Sequence, residues 1–180
     1  MPNARQTRTN AADSAPGVDD GPTSSRPSSS RSATPGRTVV WVLVALSLLA
    51  LLGAHSLLAA VAALVGAHVL SRFWPLLIVR SLPHVGDTAR SKSKPLADQI
   101  SGGALLAAFL WCFMPLALVY QAQSAIYFIA SVLCSALAAA WMARWFARRL
   151  QGFTGDCLGA TQQVSEIGFY LGAALALRWM

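Results

Sequence analysis

Between residues 38 and 80 the chain is apolar with few breaks. That is too long for one membrane span, which needs about 20 residues, and suited to two. The break is best placed at Gly53-Ala54-His55-Ser56, giving a short span at 38–54 and a longer one at 57–79. Residues 100–120 and 124–143 read as a helical hairpin joined by Gln121-Ala122-Gln123, with Pro115 expected to kink its first helix. A last apolar run reaches Arg178-Trp179-Met180. The pattern predicts an all-α, polytopic transmembrane bundle of about five spans over 38–180.

The first 37 residues are a different kind of polymer. Pro, Ser, Thr, Gly, Asp and Arg dominate, and Val18 is the single large aliphatic residue after Met1. Such a stretch cannot bury a core, so a disordered tail is expected. Its composition does not match a secretory signal, whose apolar region would lie nearer the start.

Charge places the rest. The net charge is +7 and the pI about 10.2, yet only 12% of residues are charged. The basic residues fall in short segments between apolar runs, which argues against nucleic acid as a partner and for the lipid bilayer. If the spans alternate, the tail, the 81–99 loop and the 144–155 loop share one side. The excess of positive charge there predicts that this side is cytoplasmic and the C-terminus outside. Trp141, Arg144, Trp145, Arg148 and Arg149 read as an interface anchor, as does Trp74. Cys112, Cys134 and Cys157 are isolated, as are the three histidines, so neither a disulfide framework nor a zinc site is indicated.

Three segments carry candidate chemistry. His68, Ser71 and Arg72, at i, i+3 and i+4, share a helix face expected near the membrane boundary. Arg72 there either snorkels to the interface or serves a site. In the polar loop after Ser81, Arg90, Lys92 and Lys94 suit either plain solubility or the phosphates of a nucleotide-bearing substrate. The third segment is Gly152-Phe153-Thr154-Gly155-Asp156-Cys157-Leu158-Gly159-Ala160-Thr161-Gln162-Gln163-Val164-Ser165-Glu166. Thr154 suits an N-cap with Asp156 in the first turn, and Asp156, Gly159, Gln163 and Glu166 then stack on one face. A row of carboxylates and an amide on a helix entering lipid is costly, and by default marks a functional site. Gly155/Gly159 and Gly168/Gly172 are small-xxx-small pairs that would permit close helix packing.

This third segment resembles the C-terminal signature of the cobalamin synthase (adenosylcobinamide-GDP ribazoletransferase) family. His68-Val69-Leu70-Ser71-Arg72 is similar to that family's His-x-x-Ser-Arg element. Ser81-Leu82-Pro83 and Lys94-Pro95-Leu96-Ala97-Asp98 look like its conserved loop. The resemblance covers roughly residues 38–180. It implies a multi-pass bacterial inner-membrane transferase that uses magnesium and faces the cytoplasm. A hydroxyl of α-ribazole, or of its 5′-phosphate, would attack the activated phosphate of adenosylcobinamide-GDP and expel GMP. It further implies Arg72, Arg90 and Lys94 as phosphate-binding groups, and Asp156 and Glu166 as the catalytic carboxylates, ordering metal or a ribazole hydroxyl. His68, Ser71, Asp98 and Gln163 would support them, and other enzymes of cobalamin biosynthesis are possible partners.

One departure matters. The family carries, on its N-terminal side, an Asp-Gly-x-Ala-Asp-x-x-Asp motif expected to hold the magnesium. Here the acidic residues before Asp87 are Asp13, Asp19 and Asp20, at a different spacing. The expectation is therefore a truncated or frameshifted member of the family. A non-catalytic membrane assembly subunit is the competing reading. A small transporter ranks last, since no inverted repeat is visible.

Overall fold

The computed structural model describes residues 35–85 and 100–179, with side chains from residue 39 onward. Most of the expected tail, and the loop positions Arg90, Lys94 and Asp98, lie outside the described residues. Five helices occupy most of the remainder: α1 (Pro35–His55), α2 (Leu57–Ser81), α3 (Gly102–Ala122), α4 (Ala125–Arg149) and α5 (Gly155–Leu177). The last four start at hydroxyl caps. Ser56, Ser101, Ser124 and Thr154 each accept a hydrogen bond from the backbone N–H three residues on. Each bond satisfies a donor that the first helical turn would leave orphaned. α1 opens instead on Pro35, a position where a missing N–H costs nothing, so the helix starts earlier than residue 38.

Among the described residues there is no strand, only an isolated bridge between His84 and Phe153. By length and composition, α2, α3 and α4 can each cross a membrane, and α1 adds the shorter apolar run Val39–His55. The chain is all-helical and fits a multi-pass membrane protein. α5 is long enough to span, but its first half carries the polar residues singled out above.

α4 and α5 make the closest pair. A Cβ on Gly168 would sit 3.0 Å from the Cys134 carbonyl oxygen, and one on Gly172 would run into the Ala130 carbonyl and lie 2.7 Å from the Ser131 Cα. Only glycine lets the two backbones approach so closely, and dispersion contacts between close backbones hold helices together where lipid removes the hydrophobic drive. α2 crosses both. A Cβ on Gly66 would overlap the ring of Phe169 on α5. The Tyr127 hydroxyl on α4 donates to the Ala59 carbonyl at 2.7 Å, and the Trp74 indole N–H donates to Ser135 Oγ at 2.9 Å. With Ala59 opposite Tyr127 and Trp74 opposite Ser135, α2 and α4 run parallel. Arg80, Arg144, Arg148 and Arg149 therefore gather at one end of the bundle.

Two expectations change. α3 and α4 meet beside their connection, where the Tyr120 and Phe128 rings stand 5.6 Å apart, but α3 leans mainly on α2, where Phe109 meets Phe73 with ring centroids 5.9 Å apart. α3 offers bulky, outward side chains such as Trp111, Phe113 and Met114, whereas α4 turns its small residues to α5. The Trp74 indole, expected at an interface, is half-buried and bonded across to Ser135, which is fully buried. Finally, α4 continues past residue 143 to Arg149. Met142 and Phe146 are buried with Ile78, Val79, Phe153 and Cys157 in a second cluster, and that burial carries the helix on.

Candidate active site

The polar stretch of α5 is stationed by a short dock. Val85 N–H donates to the Phe153 carbonyl at 2.9 Å, and Phe153 N–H donates to the Pro83 carbonyl at 3.0 Å. The segment leaving α2 thus pairs with the segment entering α5. Gln151, at the end of α4, turns the chain with φ 56°, a left-handed conformation. Gly152 follows, and a Cβ there would strike Val85 Cγ2 and the Pro83 carbonyl. Glycine is demanded by close approach at this point. Phe153 is fully buried, with the His84 ring edge-on at 5.2 Å between centroids. The next residue caps α5: Thr154 Oγ1 accepts from Cys157 N–H at 3.4 Å and donates to Cys157 Sγ at 3.2 Å.

From this anchored start the helix presents two faces. Cys157, Thr161 and Ser165 are buried. Asp156, Gly159 and Gln163 are exposed on the other side, and Glu166 is half-buried. A Cβ on Gly155 or Gly159 would meet nothing within 4 Å. Farther along the same face, Tyr170 is buried and its hydroxyl donates to Glu166 Oε1 at 2.8 Å, which fixes the carboxylate. Gln163 and Glu166, with Ile167, form one wall of a groove of about 210 Å³. Trp41, Val42 and Ala45 of α1 form the other. Gln163 and Glu166 are therefore brought together, with Asp156 two helical turns from Gln163 along the same side.

The α2 candidates stand elsewhere. His68 and Arg72 are exposed on α2 and do not line this groove. Arg72 lies nine residues before Ser81, the last residue of α2. At 1.5 Å per residue that is about 14 Å from the helix end. Ser71 is buried and donates to the His68 carbonyl at 3.0 Å, so it serves the helix backbone rather than an open site.

Hard cations such as magnesium require several oxygen ligands. Among the described residues no three metal-capable side chains cluster. Asp156 and Glu166 are ten residues apart on one helix, about 15 Å along its axis, too far to share an ion. The described residues do not by themselves build a magnesium site. Two features escaped the sequence reading. Tyr170 could have been found, since i and i+4 positions meet on a helix. Trp41 carried no local signal linking it to Glu166.

The family model for cobalamin-5-phosphate synthase matches residues 30–174. A relative from Albidiferax ferrireducens named adenosylcobinamide-GDP ribazoletransferase is 61% identical over 150 residues, covering 76% of this chain and 54% of that protein. One of the same name from a Polaromonas species is 63% identical over 116 residues, covering 64% of this chain and 41% of that protein. A third so named, from Vibrio cholerae, is 43% identical over 106 residues, covering 58% and 39%. The chain spans about half the length, or less, of these relatives. No solved structure matches it. A family match running through α1 to most of α5, and taking in both sides of the Pro83–Phe153 dock, identifies the chain as a member of the cobalamin-5-phosphate synthase family.

Proposed function

We propose that this chain acts as an adenosylcobinamide-GDP ribazoletransferase, joining adenosylcobinamide-GDP to α-ribazole or its 5′-phosphate with release of GMP. The observation that carries the proposal is the open row Asp156, Gln163 and Glu166 on a helix otherwise packed into an apolar bundle. In this proposal Glu166, held by Tyr170, orders the attacking ribazole hydroxyl with Gln163 in support, and Asp156, farther toward the helix start, acts on another part of the substrates or their metal. Arg72, Arg90 and Lys94 neutralise charge on the transferring phosphate, the effect that dominates phosphoryl transfer. A guanidinium nine residues inside an apolar helix favours a working role over a passive one. His68 and Asp98 assist these cations, and Ser71 braces the helix beneath His68. Any magnesium in the reaction draws most of its ligands from outside the described residues. The basic ends of α2 and α4 support a location in the bacterial inner membrane with the site opening to the cytoplasm, where other cobalamin-forming enzymes could deliver substrate.

The test is complementation. The chain is expressed in a bacterium lacking its own cobalamin synthase, fed cobinamide and lower base, and cobalamin is assayed. Cobalamin should form, and Asp156→Asn and Glu166→Gln should each lower the rate by about a hundredfold or more. Protein present in the membrane with no cobalamin formed would defeat the proposal and leave an inactive remnant or an assembly subunit.

A further inference from the structure

We infer that the α1–α5 groove is a binding site for a planar nitrogen heterocycle, stacked on Trp41 and hydrogen-bonded by Gln163 and Glu166. The inference rests on the proposed transferase reading, in which both reactants carry such a ring on a ribose: guanine in one, benzimidazole in the other.

Three observations converge. First, the groove is lined by one large aromatic ring, two aliphatic residues and an alanine, together with just two polar side chains. An apolar slot with few polar groups is the usual make-up of a small-molecule site. Its volume of about 210 Å³ is below the roughly 300 Å³ at which whole drug-sized ligands begin to fit. It suits one ring system, not a complete nucleotide. Second, the polar pair covers both hydrogen-bond roles. Glu166 already receives the Tyr170 hydroxyl on Oε1, which holds the carboxylate still and leaves Oε2 to accept from ring or sugar N–H and O–H groups. Gln163 is exposed and can both donate to a ring nitrogen and accept. Third, the groove is open along α5. Gly159 leaves free space beside it, and Asp156 lies farther toward the helix start, so ribose and phosphate have room to run out along this face. Trp41 is 41% exposed, its ring not consumed by core packing.

A tryptophan near a helix end can also serve as a plain interface anchor, and the test separates the two roles. The full chain is purified in detergent, and GDP and α-ribazole are titrated separately by calorimetry. Wild type should bind at least one of them. Trp41→Leu keeps an apolar side chain but removes the aromatic face, and should weaken that ligand about tenfold, the scale of a lost base–aromatic stack. Trp41→Phe should stay within about threefold of wild type, since it retains a ring. Val42→Phe narrows the groove without touching a polar group and should weaken the same ligand while the unfolding temperature holds. Whichever ligand responds identifies the ring that the groove takes. The inference is overturned if wild type binds neither compound, or if Trp41→Leu binds both as wild type does. Binding that depends on Trp41 in a chain that fails complementation would retain the site and discard the transferase reading. Complementation by a chain whose binding ignores Trp41 would do the reverse.

Discussion

The two halves of α5 use the same device to opposite ends. Each contains a glycine pair four residues apart. Gly168 and Gly172 lie against the backbone of α4, so closely that an added methyl would overlap it. Gly155 and Gly159 face open space and are flanked by Asp156 and Gln163. A small-xxx-small pair removes obstruction but supplies no attraction. What decides its use is whether a neighbour arrives with small residues of its own. In the second half Ala130, Ser131, Cys134 and Ala138 of α4 do so. In the first half no described helix closes over the glycines. The sealed half holds the bundle together, and the open half is left for chemistry.

The sharpest way to break this contrast is to enlarge one glycine in each half. Gly172→Leu should cost 3 kcal/mol or about that, at the upper end of overpacking penalties, and lower the detergent unfolding temperature markedly. Gly159→Leu should leave the unfolding temperature almost unchanged while lowering cobalamin formation. Equal thermal losses in the two variants would erase the distinction between the halves. Next in size is Gly152→Ala at the dock. Its methyl meets Val85 and the Pro83 carbonyl, so a loss of about 1–3 kcal/mol is expected. Faster proteolysis between α2 and α3 would report release of the 83–85 segment.

A smaller effect tests the sealed core. Ser135→Ala leaves the Trp74 indole N–H without its partner and should cost about 1–2 kcal/mol. Adding Trp74→Phe should cost less than the two single changes summed, because no polar group is then stranded; a double-mutant cycle measures this. Smallest is Tyr170→Phe, which removes one hydrogen bond to Glu166 for about 1 kcal/mol of stability. Its effect on cobalamin formation should exceed that of Ser135→Ala, although the stability loss is no larger. The reverse ranking would show that Tyr170 merely packs.

Much of the outline was legible. The break at 53–56, the Thr154 cap, and the single face shared by Asp156, Gly159, Gln163 and Glu166 all follow from local chemistry. Helix ends need hydroxyl acceptors, and 3.6 residues per turn fixes which side chains align. The resemblance carried by 68–72 and 152–166 agrees with the family match. The hairpin reading of α3 and α4 held only beside their connection, because neighbours in sequence need not stay neighbours along a bundle.

By itself, then, the sequence determined the helices, their caps, the polar row and the family, since each depends on residues within a few turns of one another. Only the tertiary structure decided which glycine pair is sealed, that Pro83 and Val85 hold Phe153, and that Trp41 stands across from Glu166. Those outcomes depend on contacts between residues far apart in the chain. Apolar burial and close packing are indifferent to sequence separation, so no local pattern names the partner in advance.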